Sequence, residues 1–278
     1  MTERPFAGKR IEANGLTHYV VDEGSGTPVV LLHGFPDSAD MWRHQIPALV
    51  DSGFRVIAPD LRGSGDSDRA ASDEDYFIFN MVNDVVAIAD VLGIERFHFV
   101  GHDYGAGTGW MLVTAHPERV ERYVAMSVGH PGALVLGGLE QMRRSWYSFL
   151  FQFKGLAEEK LMANDWSLMR EWLAQHPDPE RCIEMLARPD TLPAMLGWYR
   201  ANMKPDFWGV PLDYPAVTVP VMGIYPSDDD FLTEGVLAGS KDYVAGEWRY
   251  EKIDGAGHWV PLERPDEVNA LLLDFLKS

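Results

Sequence analysis

Cysteine is almost missing from this chain: Cys182 stands alone among 278 residues. That excludes an internal disulfide and any cysteine-built metal site. Basic residues are scarce as well, 24 Lys and Arg against 42 Asp and Glu, for a formal net charge of −18. Such a surface repels phosphate backbones and anionic membranes, so neither nucleic acid nor a membrane is expected as a partner. The acidity itself is read as conferring solubility. No apolar run approaches the length that spans a bilayer, and the opening MTERPFAGKR lacks the apolar core of a secretory signal. A cytoplasmic location is therefore expected. No internal repeat or low-complexity segment is present. What the chain does have is apolar bulk, 46% hydrophobic with 12% aromatic, enough for a sizeable core.

The first part alternates short β-rich runs with helical spacing. Residues 18–21, 29–32 (VVLL), 54–58, 97–100 and 123–128 read as strands, and 79–92 and 104–116 as helices. Gly93 is the expected stop of the first helix. The acidic run Asp73-Glu74-Asp75 reads as a solvated loop. From 133 to 210 no strand pattern occurs, only helical stretches rich in Trp, Tyr, Phe and Met; strands resume at 217–225 and 249–253, before a helix at 266–277. This order predicts an α/β fold whose mostly parallel sheet is flanked by helices, with a core of residues 1–132 and 211–278 and a helical cap of residues 133–210.

One further absence is local. Residues 101–105 read Gly-His-Asp-Tyr-Gly, the pattern of a nucleophile elbow with Asp103 where serine is usual. Helix capping is the plain alternative for Asp103. As a nucleophile, however, a carboxylate is already charged and attacks saturated carbon that bears a leaving group. The product is an ester of the side chain, and its hydrolysis needs a base and an oxyanion hole. His258, in the loop Gly255-Ala256-Gly257-His258-Trp259, is the expected base. Its orienting acid is expected at Asp229, with Asp228 and Asp230 as alternatives in the same turn. The oxyanion hole is expected from the backbone N–H groups of Tyr104 and of Phe35, the latter in the loop His33-Gly34-Phe35-Pro36-Asp37. His33 reads as a structural loop residue. Gly105 and Gly107 are expected to let the elbow helix approach the sheet.

HGFPDS at 33–38, GHDYGA at 101–106 and GAGHW at 255–259 together resemble the α/β-hydrolase superfamily, in particular its epoxide hydrolases and dehalogenases. The resemblance runs almost from end to end and implies a helical cap inserted after the sixth strand. An epoxide oxygen leaves as a basic alkoxide and needs an acid, which a neutral phenol supplies. Tyr147, in Ser145-Trp146-Tyr147-Ser148-Phe149, and Tyr199, in Gly197-Trp198-Tyr199-Arg200, stand in contexts that resemble the segments carrying ring-opening tyrosines in epoxide hydrolases. Haloalkane dehalogenases resemble the chain too, but carry tryptophan after the nucleophile and usually asparagine in the oxyanion loop. Fluoroacetate dehalogenases carry arginine after it. Tyr104 and Phe35 occupy those positions here.

The sequence thus predicts an epoxide hydrolase acting on an apolar epoxide and water, without cofactor or metal. The same aspartate in a haloalkane or haloacid dehalogenase is the alternative. A non-catalytic binding protein would not need the Asp–Asp–His set, and a serine esterase would need a serine. Phe35, Trp110 and Trp146 are expected to line an apolar substrate pocket, burial in the core being the other reading of each.

Overall fold

The computed structural model describes residues 3–211 and 213–278. Eight strands form one sheet: β1 Gly8–Ala13, β2 Leu16–Gly24, β3 Thr27–Leu32, β4 Phe54–Pro59, β5 Phe97–His102, β6 Val120–Met126, β7 Val221–Pro226 and β8 Trp248–Ile253. Their spatial order is β1-β2-β4-β3-β5-β6-β7-β8. β1 and β2 pair antiparallel, as do β2 and β4, and every pairing from β4 to β8 is parallel. The pattern follows from burial. β5 and β7 are buried at every position, as central strands covered on both faces must be, whereas β1 alternates toward solvent at an edge. That edge strand is missing from the sequence-based expectation, because GKRIEA holds too few apolar residues to signal one. The strand expected at 217–225 begins only at Val221; Val217 makes an isolated bridge with Val244.

Helices α1 (Gln45–Asp51), α2 (Ile78–Val91) and α3 (Tyr104–Ala115) connect the early strands. α2 buries Met81, Val82, Val85, Ile88 and Ala89, one stripe of a 3.6-residue repeat, and Gly93 just beyond it has φ +68°. Between β6 and β7 lie the helices α4 (Pro131–Val135), α5 (Gly138–Arg144), α6 (Trp146–Phe151), α7 (Leu156–Trp172, interrupted at 163–166), α8 (Pro179–Leu186) and α9 (Thr191–Asn202). They form the cap inserted after the sixth strand. α10 (Glu234–Gly239), α11 (Val260–Glu263) and α12 (Pro265–Leu276) complete the layers. The Asp73–Tyr76 run is a short 3-10 turn rather than a loop: Asp75 accepts from the Ser72 N–H, and Asp73 pairs with Lys154 of the cap at 3.0 Å.

Asp60, after β4, fixes the loop that follows β3. Its carboxylate accepts from the Ala39 and Asp66 N–H groups, each at 2.8 Å, and takes both Arg4 guanidinium nitrogens at 2.7 and 2.9 Å. Burial alone would raise the pKa of this fully buried carboxyl. The Arg4 charge and these donors outweigh burial and hold it below the usual range. Stability from Asp60 is thus present above the ordinary carboxylate pKa and is lost as pH falls through the depressed one. Asp60→Asn is expected to cost about 1.5–3 kcal/mol at pH 7, because Arg4 loses its buried, doubly bonded carboxylate and keeps only Asp40 and Asp66. Urea unfolding at pH 7 should show that loss, with the gap between variant and parent narrowing at acid pH.

Candidate active site

α3 starts where β5 ends, and Asp103 sits at the junction with φ +51° and ψ −120°. A non-glycine residue held there is strained by roughly 1–3 kcal/mol, so its surroundings must enforce it. Close packing does so. A Cβ on Gly105 would lie 1.9 Å from the Leu32 carbonyl oxygen, and one on Gly34 would lie 2.3 Å from the Asp103 side chain. Only glycine lets β3, its following loop and the elbow meet this closely. Gly107 has no such role, contrary to expectation: its Cβ would meet only Ile78 Cδ1, at an ordinary 3.6 Å.

The elbow delivers Asp103 to two neighbours. Oδ1 accepts from the Phe35 N–H at 2.7 Å, and Oδ2 lies 3.7 Å from His258 Nε2. On the far side of the imidazole, His258 Nδ1 lies 2.9 Å from Asp229 Oδ2. The other Asp229 oxygen accepts from the Phe231 and Leu232 N–H groups at 2.8 and 2.9 Å. Asp228 and Asp230 are exposed, so of the three adjacent acids only Asp229 meets the histidine. Burial by itself lowers the His258 pKa, but the two carboxylates overcome it and push it up to about 10. Burial likewise raises Asp229, and the imidazolium with the two N–H donors wins, leaving it ionised.

Further residues, unmarked in the sequence, hold this set in place. The His258 carbonyl accepts from His102 Nε2 at 2.8 Å and from Ser127 Oγ at 3.2 Å. His102 is kept neutral by burial and by the His258 charge, its pKa brought down to about 4. Arg144 of α5 donates to the Asp229 carbonyl, and to the Leu232 carbonyl at 3.0 Å. Gln175 donates to the Asp228 carbonyl at 2.8 Å and accepts from the His258 N–H at 3.3 Å. Asp37 accepts from Trp259 Nε1 at 3.0 Å and faces His176 Nε2 at 3.4 Å, with Cys182 Sγ 3.4 Å from the same nitrogen. His176 Nδ1 accepts the Asp178 N–H at 2.9 Å, which puts the ring proton on Nε2, facing Asp37. The three buried groups thus read as a hydrogen-bonded pin between cap and base loop, not as a set of metal ligands. His33 takes a structural place as expected: Nε2 accepts from the Leu61 N–H at 2.9 Å.

A cavity of about 230 Å³ opens over Asp103. Tyr104, Tyr147 and Tyr199 line it, among apolar residues from α2, α3 and the cap. The rings are neighbours: Tyr104–Tyr199 centroids are 4.9 Å apart and Tyr147–Tyr199 5.7 Å, edge to face. Neither the Tyr147 nor the Tyr199 hydroxyl has a hydrogen-bond partner among the described residues, and burial with the nearby Asp103 charge raises both pKa values well above 10. Both phenols therefore carry their protons. The expected lining side chains are placed otherwise. Trp110 is fully buried behind α3, its Nε1 bonded to the Val128 carbonyl at 3.0 Å. Trp146 points to solvent, 48% exposed, because the α6 face that packs inward carries Tyr147, Ser148 and Phe151. The Phe35 ring packs under Tyr199 at 5.4 Å and only its N–H serves the site.

A family model for the α/β hydrolase fold matches residues 27–265. The chain is 34% identical to epoxide hydrolase A of Mycobacterium tuberculosis, over 96% of each sequence. It is 33% identical to the AB hydrolase superfamily protein YfhM of Bacillus subtilis, over 96% of this chain and 97% of that one. Among solved structures, a mutant of an epoxide hydrolase from Bacillus megaterium superposes with a TM-score of 0.88 at 26% identity, over 97% of this chain and all of the other.

The Tyr104 hydroxyl too lacks a hydrogen-bond partner among the described residues, and it is fully buried. An unpaired buried hydroxyl costs roughly 1–3 kcal/mol. Tyr104→Phe is therefore expected to raise stability by about 1 kcal/mol in chemical denaturation. A clear loss of stability would mean that the hydroxyl is satisfied after all.

Proposed function

The chain belongs to the epoxide hydrolase family of the α/β-hydrolase superfamily, and from that membership we propose that it hydrolyses an apolar epoxide to a vicinal diol through an ester on Asp103. The observation that carries this reading is the pair of uncommitted phenols from the cap, Tyr147 and Tyr199, on the wall of the same cavity as Asp103. A halide leaves as a stable anion and needs no proton; an epoxide oxygen does.

In this reading Asp103 Oδ2 attacks an epoxide carbon while Oδ1 stays on the Phe35 N–H. The C–O bond of the ring breaks, and its electron pair goes to the oxygen, which takes a proton from one of the two phenols. Residues 133–210 act as the cap that brings these phenols over the nucleophile. Esterification cancels the Asp103 charge, which is one of the causes of the raised His258 pKa. His258 accordingly holds its proton more weakly once the ester exists and gives it up to the phenolate left by ring opening, directly or through water, which restores the phenol and leaves a neutral imidazole as base when a base is first required. With Asp229 orienting it, it takes a proton from water as the water oxygen attacks the ester carbonyl. The resulting oxyanion sits on the Phe35 and Tyr104 N–H groups, and collapse releases the diol and restores the carboxylate.

With styrene oxide, His258→Gln is expected to gain one substrate mass without releasing diol, as read by intact-protein mass spectrometry. Asp103→Asn should gain none and show no turnover. Each of Tyr147→Phe and Tyr199→Phe is expected to slow ring opening about 10- to 1,000-fold in single-turnover kinetics. Unchanged ring opening in both phenylalanine variants, or halide release from a bromoalkane faster than diol formation, would refute the epoxide reading.

A further inference from the structure

The cavity has a long axis that the reacting groups do not explain. Asp103, Gly107 and Met111 all line it. Asp103 caps α3, its carbonyl accepting from the Gly107 N–H at 2.9 Å, and Gly107 and Met111 follow at four-residue spacing on one face of the helix. At 1.5 Å per residue, Met111 lies about 12 Å beyond Asp103. The facing wall is apolar, with Ile78 and Phe79 from α2, Leu134 from α4, and Phe207. The one amide there, Asn202, is fully committed: Oδ1 accepts from the Ile78 N–H at 2.8 Å, and Nδ2 donates to the Tyr76 and Trp198 carbonyls. Among the described residues no charged side chain other than Asp103 borders the space.

Gly107 is the anomaly in this stripe. Glycine is disfavoured against alanine inside a helix. At Gly109 the packing demands it, since a Cβ would lie 2.4 Å from the Tyr123 ring and 2.7 Å from Phe99. At Gly107 nothing does, because the added carbon would make one ordinary contact. Gly107 is also the one residue of the first two turns of α3 that is not fully buried. What a side chain here would occupy is the cavity itself.

We propose that the Asp103–Gly107–Met111 stripe floors a trench for a long apolar arm of the substrate, and that Gly107 is the specificity-determining residue that admits it. The substrate class is then an uncharged epoxide with an unbranched alkyl or slender aryl arm, and not a compact epoxide. This rests on the epoxide reading and adds where the rest of the molecule lies.

The test compares parent, Gly107→Ala and Gly107→Leu on 1,2-epoxydecane and 1,2-epoxypropane. The ratio of kcat/KM, long over short, is expected to fall by about tenfold or more in the leucine variant and by about threefold in the alanine variant. Alanine should also raise Tm by about 2 °C, as expected if the fold does not need glycine there. An unchanged ratio in both variants overturns the proposal, as does a lower Tm for alanine. Decane-1,2-diol and propane-1,2-diol provide a readout that needs no turnover. By calorimetry the parent should bind the longer diol at least about tenfold more tightly, and Gly107→Leu should erase that preference. Equal binding in the parent overturns the trench. If no epoxide yields diol while the binding preference holds, it is the epoxide reading that fails and the trench that stands.

Discussion

The imidazole of His258 is buried, with a carboxylate on either side. Two buried negative charges near one another are costly unless a positive charge joins them, and the raised His258 pKa states that balance. Much of the nearby structure serves it. The Phe35 N–H takes one Asp103 oxygen, the Phe231 and Leu232 N–H groups take an Asp229 oxygen, and His102 stays neutral beside the ring. Charge is thereby confined to three side chains. The rest of the cavity wall is apolar or neutral, although the chain as a whole carries a formal charge of −18. The acidic surface and the apolar cavity are separate solutions, one facing solvent and the other facing substrate.

That confinement also accounts for the order of events in the proposed reaction. A histidine held protonated by a neighbouring carboxylate is a poor base until that carboxylate is neutralised. Alkylation of Asp103 is the step that neutralises it, so the activation of water is tied to the presence of the ester. The same field acts on the tyrosines in the same direction. Burial, and next to it the Asp103 charge, raises their pKa values and so keeps on them the protons that the proposed ring opening needs.

Residues whose position along the chain fixes their position in space were legible in the sequence. Asp103 follows a buried strand and precedes glycine, so the elbow was readable, and His258 and Asp229 follow strands in a set order. The geometry brings those three together in the order expected. Side-chain direction was not legible. Trp110 and Trp146 are both large and apolar near the site, yet one turns behind α3 and the other to solvent, because helix phase and not residue type decides which face looks inward. Nor were contacts between distant segments legible. Asp37 and His176 lie 139 residues apart, and nothing in either local pattern points to the other. Gly107 was misread for a related reason. A glycine that packs closely and a glycine that leaves room look identical in a sequence, and only the surrounding atoms separate them.

Arg144 belongs to the cap, but what it grips are the carbonyls of Asp229 and Leu232 in the turn that carries the acid. Gln175, from the stretch between α7 and α8, holds the same turn and the His258 backbone. The cap and the Asp229–His258 pair are thus bolted into a single mechanical assembly. In the proposed reaction, a cap lifted far enough to break those bonds would slacken the seat of Asp229, and an open doorway would mean a disarmed base.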